Sequence, residues 1–178
     1  MSFALAPGGL LAVTGANGTG KSSLLRILAG LLRPDAGTVH QPGGASGLHF
    51  LGHLDGLKGA FTLHEMLRFW SDLLGAGEGR EERLVLAAEE VSLAHALDLP
   101  SGVLSAGQRR RAGLARLLIA RRPVWLLDEP GSALDRDGET LLGRLLARHL
   151  AEGGIVVAAT HQALPVAPSA VLDLANPA

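Results

Sequence analysis

The chain has 178 residues, of which 47% are hydrophobic and 19% charged, a balance that suits one folded domain and argues against a disordered chain or a fibrous repeat. With 16 Lys and Arg against 17 Asp and Glu the net charge is −1, so there is no overall attraction to nucleic acid or an anionic membrane. Two Trp, four Phe and no Tyr are too few for a base-stacking surface, and the absence of cysteine excludes disulfides, thiolate zinc sites and a cysteine nucleophile.

The start, Met1 to Gly9, lacks the basic and long apolar regions of a secretory signal, and no apolar run approaches membrane-spanning length. Leu10 to Val13 is an apolar run that predicts a strand, followed by a glycine-rich turn and helical apolar spacing over Ser22 to Leu32. Phe61 to Leu99 contains no comparable strand. Its spacing predicts helices over Leu63 to Leu74 and Glu81 to Leu97, broken by Gly75, Gly77 and Gly79, with a further helix from about Ser105 to Ala120. Val124 to Leu127 is a second continuous apolar run, ending in Asp128, Glu129 and Pro130; Ile155 to Ala159 is a third, ending in Thr160 and His161. Continuous apolar strands alternating with helical stretches predict an α/β fold whose mostly parallel sheet is covered on both faces. The expected organisation is a single domain, with 1–52 and 122–178 as the core and 53–121 as an inserted helical segment.

Gly15, Ala16, Asn17, Gly18, Thr19, Gly20, Lys21 and Ser22 match G-x-x-x-x-G-K-[ST], after a strand and before a helix, which is the context that this phosphate-binding loop requires. Glycines let successive backbone N–H groups close around phosphate oxygens, and the helix start adds a positive dipole end. In that reading Lys21 reaches the β- and γ-phosphates and Ser22 ligates Mg²⁺. The strand ending at Asp128 and Glu129 supplies a Mg²⁺-holding carboxylate and a general base for the attacking water, respectively. Ser105 followed by Gln108 is, taken alone, a capping box at a helix start. Arg109, Arg110, Arg111, Arg116, Arg121 and Arg122 read as a solvated face or as contacts to acidic groups across a dimer; with a neutral net charge they do not make a nucleic-acid patch.

Leu104, Ser105, Ala106, Gly107 and Gln108 resemble the LSGGQ signature of ABC-type ATPases with one glycine replaced by alanine. Asp128 to Asp135, including Ser132, Ala133 and Leu134, resembles that family's joined Walker B and D-loop, and Thr160 with His161 resembles its switch histidine. Phe50, Leu51, Gly52, His53, Leu54, Asp55, Gly56, Leu57 and Lys58, then Thr62, Leu63 and Glu65, fall at the Q-loop and are similar to the ATP-binding subunits of cytochrome c biogenesis (haem exporter) ABC complexes; His53 stands in the glutamine's place. The resemblance extends from about Leu5 to Leu174.

What the resemblance implies is an ATPase using ATP and Mg²⁺. Gly15 to Ser22 and Ser23 would hold phosphate, Lys21, Glu129 and His161 would act in catalysis, and Ser105 and Gly107 would contact ATP bound to a second copy. It also implies a homodimer formed on ATP binding, membrane permease subunits as partners, no nucleic acid, and a peripheral place on the cytoplasmic face of the inner membrane. The implied work is haem export or release of a haem–chaperone intermediate. Alternatives are the ATP-binding subunit of another small-substrate ABC transporter, or a nucleotide-dependent assembly module without catalysis. A GTPase lacks support because no N-K-x-D motif occurs. Imidazole at position 53 lacks an amide's paired donor and acceptor, and Mg²⁺ prefers oxygen, so His53 is expected to act through water or at a coupling interface. Family members begin with further strands that carry an adenine-stacking aromatic; with these expected to be truncated here, and Phe3 in the wrong segment, nucleotide affinity is expected to fall by about 1–3 kcal/mol.

Overall fold

The structure is a computed structural model that describes residues 2–41, 43–53, 55–75 and 77–175. It divides into two compact units, one comprising Met1–His53, Arg122–Gly131 and Leu142–Ala178, the other Leu54–Arg121 and Ser132–Leu141.

The first unit is built on a five-stranded sheet of β1 (Leu10–Thr14), β2 (Leu48–Leu51), β3 (Val124–Asp128), β4 (Ile155–Ala159) and β5 (Ala170–Asp173), in the order β2-β3-β4-β1-β5. Every neighbouring pair is parallel. Because side chains alternate across a strand, Leu11, Val13, Leu126, Val157 and Ala159 share one buried face, where Leu25 and Ala29 from α1 (Lys21–Leu28) and its C-terminal end complete the cluster. On the other face Trp125 stacks on His149 of α5 (Arg136–Ala151), with ring centroids 3.9 Å apart.

Three strands and the α/β class agree with the reading of the sequence. The reading singled out neither edge strand, nor α5. β2 interrupts its apolar run with His49, which the fold buries, and β5 is short and largely exposed. α1 starts at Lys21 and stops at Leu28 rather than Leu32, because Gly30 turns left-handed and the amides of Gly30 and Leu31 bond back to Ile27 and Arg26.

The second unit is helical: α2 (Leu63–Leu74), α3 (Arg80–Glu90) and α4 (Ala106–Ile119), with short 3₁₀ turns at Ala94–Ala96 and Ser101–Val103. α2 matches its expected bounds, and Gly75 and Gly79 take left-handed conformations at the ends of α2 and α3. α3 stops seven residues before the expected Leu97 end. Ser92 is left-handed at φ +60, the Leu93 amide bonds the Ala88 carbonyl at 2.7 Å and the Ser92 amide bonds Glu89 at 2.9 Å, a Schellman ending that buries Leu93. Among the described residues no helix is long and apolar enough to cross a membrane.

Candidate nucleotide site

A parallel sheet gathers the carboxyl ends of its strands on one edge, where successive loops can share a ligand. Val13 of β1 pairs with Ala159 of β4, and Asp128 of β3 pairs with the same Ala159. The loop Gly15 to Gly20, the acids Asp128 and Glu129, and Thr160 with His161 therefore leave neighbouring strands at one edge.

Gly15 has φ +136, and a Cβ there would come within 2.8 Å of the Thr19 hydroxyl. The loop folds on itself: the Thr19 hydroxyl donates to the Ala16 carbonyl at 2.9 Å, and the Lys21 ammonium, buried, donates to the carbonyls of Gly15 at 2.7 Å and Ala16 at 3.0 Å. No side chain caps α1 at Gly20 and no acid lies in its first turn, so the helix start presents amides and a lysine to an anion. Asn17 and Gly18 are exposed, as is Ser23 in the first turn, while Thr19 and Ser22 are half-buried.

Asp128 ends β3 and is buried. Glu129 follows with φ +50, its amide donating to the Ala159 carbonyl at 2.8 Å. Its carboxylate meets His161 Nδ1 at 2.9 Å and accepts from the His161 amide at 3.4 Å; the carboxylate is 15% exposed and the imidazole 56%. A carboxylate bound to Nδ1 fixes the imidazole's tautomer and leaves Nε2 as its second functional nitrogen. Thr160 is held by its own turn, exchanging hydrogen bonds with Gln162. His53 lies exposed just beyond β2.

In the second unit Ser105 caps α4 and forms the full capping box with Gln108: the hydroxyl accepts from the Gln108 amide at 3.1 Å and the Gln108 carboxamide accepts from the Ser105 amide at 2.9 Å. Leu104 is buried and Ala106 exposed. A Cβ on Gly107 would lie 3.0 Å from the Ala133 carbonyl, so the predicted signature and D-loop segments meet at this glycine. Ala133 is itself left-handed at φ +63. Asp135 accepts from the Gly138 amide at 2.8 Å and so caps the start of α5; Ser132 and Leu134 complete that turn.

The basic run needs correction. Arg110 and Arg116 are 3% and 8% exposed, not solvated. Arg110 reaches Asp55 at 3.4 Å, the Arg116 guanidinium lies 4.3 Å over the Trp70 ring, and Arg109 donates to the Leu104 carbonyl at 2.6 Å. In the first unit Arg122 donates to the Ser46 and Leu48 carbonyls. Nothing in the local sequence signals this, because Trp70 and Arg116 lie on different helices and burial of a guanidinium depends on which helix lies opposite.

The residues suit a phosphate with Mg²⁺. Ser22 and Asp128 offer the oxygen donors that this cation prefers, and among the described residues no cluster of three or more His, Cys, Asp or Glu is placed to hold a metal. This fold and loop define a P-loop nucleoside triphosphatase. Residues 1–132 match the ABC transporter family model. The chain is 51% identical over 173 residues to the cytochrome c biogenesis ATP-binding export protein CcmA of Rhodopseudomonas palustris (strain BisB5), covering 94% of this chain and 85% of that one. It is 50% identical over 182 residues to the protein of the same name from Rhizobium meliloti (strain 1021), covering 98% and 88%. A solved putative ABC transporter ATP-binding protein from Pyrococcus furiosus superposes with a TM-score of 0.82 over 96% of this chain and 86% of that one, at 24% identity. The chain belongs to the ABC transporter family and is an ATPase of the ABC type.

Proposed function

We propose that this chain is the ATP-hydrolysing subunit of a membrane complex for cytochrome c maturation, in which ATP turnover drives haem export or release of a haem–chaperone intermediate. The observation that carries the catalytic part is the Glu129–His161 pair on neighbouring strand ends, at the same sheet edge as the phosphate loop. The name shared by the curated relatives supports the complex it serves.

In this reading the amides from Gly15 to Ser23 surround the phosphates, and Lys21 exchanges its carbonyl partners for phosphate oxygens. Ser22 and Asp128 would hold Mg²⁺, which would supply positive charge to the phosphates when bound. Glu129 takes a proton from water as the water oxygen bonds to the γ-phosphorus and the bond to the bridging β–γ oxygen breaks, releasing ADP. His161, held by Glu129, positions that water and the γ-phosphate. Ser105 and Gly107 of a second copy close the site, with Ser132, Ala133, Leu134 and Asp135 lining the junction between copies. Phe61, Phe69 and Leu73 are exposed apolar residues of the helical unit, and a membrane permease docking there would place the protein peripherally on the cytoplasmic face of the inner membrane.

The test is Mg²⁺-dependent ATP turnover by the full chain beside Glu129→Gln. Removal of the general base should lower kcat by about 10²–10⁴-fold while ATP still binds. Turnover unchanged by the substitution would remove Glu129 from this role, and a wild-type chain inactive even with its membrane partners would favour a binding module.

A further inference from the structure

The segment that follows His53 is attached to the signature from both sides. Upstream of Ser105, the Gly102 amide donates to the Gly59 carbonyl at 3.1 Å, the Ser101 amide donates to the Phe61 carbonyl at 2.7 Å, and Thr62 pairs with Pro100 as an antiparallel bridge. Gly59 and Gly102 meet backbone to backbone, where a Cβ on Gly59 would lie 3.2 Å from the Gly102 Cα and one on Gly102 3.1 Å from the Gly59 carbonyl oxygen. Downstream, the contact is a side-chain pair: Asp55, 19% exposed, accepts from buried Arg110 on the second turn of α4. Deeper along α4, Arg116 is clamped over Trp70, and a Cβ on Gly56 would lie 3.2 Å from that indole. Burial, then the Arg110 charge, lowers Arg116 to about 10, and the Asp55 carboxylate works in the opposite direction, so Asp55 acts on both cations.

We propose that Asp55 is a positioning residue for the signature. Through Arg110 it holds the first turns of α4, and with them Ser105 and Gly107, at the angle that meets ATP, and it does so from the segment directly after His53. The backbone attachment at Gly59–Gly102 acts as the fixed point and the Asp55–Arg110 pair as the adjustable one. A shift of residues 55–58 changes the pull on Arg110 and tilts the helix start. Arg110 follows Arg109, whose amide bonds the Ser105 carbonyl at 2.9 Å, so a displacement of Arg110 passes along helical hydrogen bonds to the cap. This inference rests on the proposed contact of Ser105 and Gly107 with ATP.

The experiment compares the chain with its Asp55→Asn and Asp55→Glu variants. Two readouts are taken: steady-state ATP turnover with Mg²⁺, and hydrogen exchange at the amides of Gln108 and Arg109 without nucleotide. Asp55→Asn should lower kcat by about tenfold with KM within about twofold, and should speed exchange at both amides by a similar factor. Asp55→Glu should recover most of both. Unchanged kcat and exchange in Asp55→Asn would overturn the proposal, as would equal losses in kcat and nucleotide affinity that Asp55→Glu fails to rescue. If the wild-type chain hydrolyses no ATP, the functional reading falls. The tether is then judged by exchange alone, and unaltered protection of Gln108 and Arg109 in Asp55→Asn would overturn it separately.

Discussion

Glu129 stands in a left-handed conformation that costs a non-glycine residue on the order of 1–2 kcal/mol. Its amide donates to the Ala159 carbonyl, and its carboxylate accepts from the His161 amide and meets His161 Nδ1, which aims the carboxylate from the strand end toward the next strand's loop. Its residue type and place after an apolar run were legible in the sequence; its strained backbone was not, since only pairing with β4 imposes it. Gly154 shows the reverse case. Nothing in the sequence marks it, yet a Cβ there would collide with the His149 imidazole, a ring already stacked against Trp125. Gly154→Ala should destabilise the protein by about 1–3 kcal/mol in urea unfolding. In a His149→Ala background most of that penalty should vanish, because the clash has lost its partner. Equal penalties in both backgrounds would show that the ring is not the obstacle.

Among the elements, those defined by local chemistry were readable and those completed by neighbours were not. α2 is bounded by a Thr62–Glu65 capping box and a left-handed Gly75, both written into the local sequence. β2 and β5 depend on partners: buried His49 and the exposed side chains of β5 hide the period that defines a strand. α4 depends on Ser105 for its cap, so Ser105→Ala should cost about 1 kcal/mol of stability apart from any loss of turnover. α2 and α3 are tied by His64 and Glu81. The hydrogen bond from His64 holds the Glu81 carboxyl below its ordinary 4.5. The stabilisation is therefore fully present above pH 4.5 and is lost as the pH falls through the lowered folded-state value. The melting-temperature gap between wild type and Glu81→Gln should close on acidification from pH 7 to pH 3; a gap of constant size would mean the pair contributes nothing.

At the scale of the whole molecule, the glycine-rich loop, Asp128 and Glu129 belong to one compact unit and Leu104 to Gln108 to the other. The proposed mechanism completes each site with a second copy. If Glu129 is the general base proposed above, Glu129→Gln should bind ATP without cleaving it, sedimenting as a dimer with Mg²⁺ and ATP and as a monomer without nucleotide. Adding Lys21→Ala should abolish that shift, since the phosphate loop then lacks its cation. Sedimentation of the single variant as a monomer at saturating ATP would remove the two-copy site.

The sequence by itself determined the α/β class, the phosphate loop and the order of the chemical motifs, because each is carried by short-range chemistry: glycines where backbone must turn, a lysine at a helix start, acids closing an apolar strand. Tertiary structure alone decided which of these residues meet. Parallel pairing through Ala159 put Glu129 against His161, and packing of α4 against the chain after His53 turned an apparent basic face into two buried guanidiniums held by Asp55 and Trp70. A charge run reads as solvated until the opposing element is in place, since the free energy of a buried cation depends on its partners rather than on its neighbours in the chain.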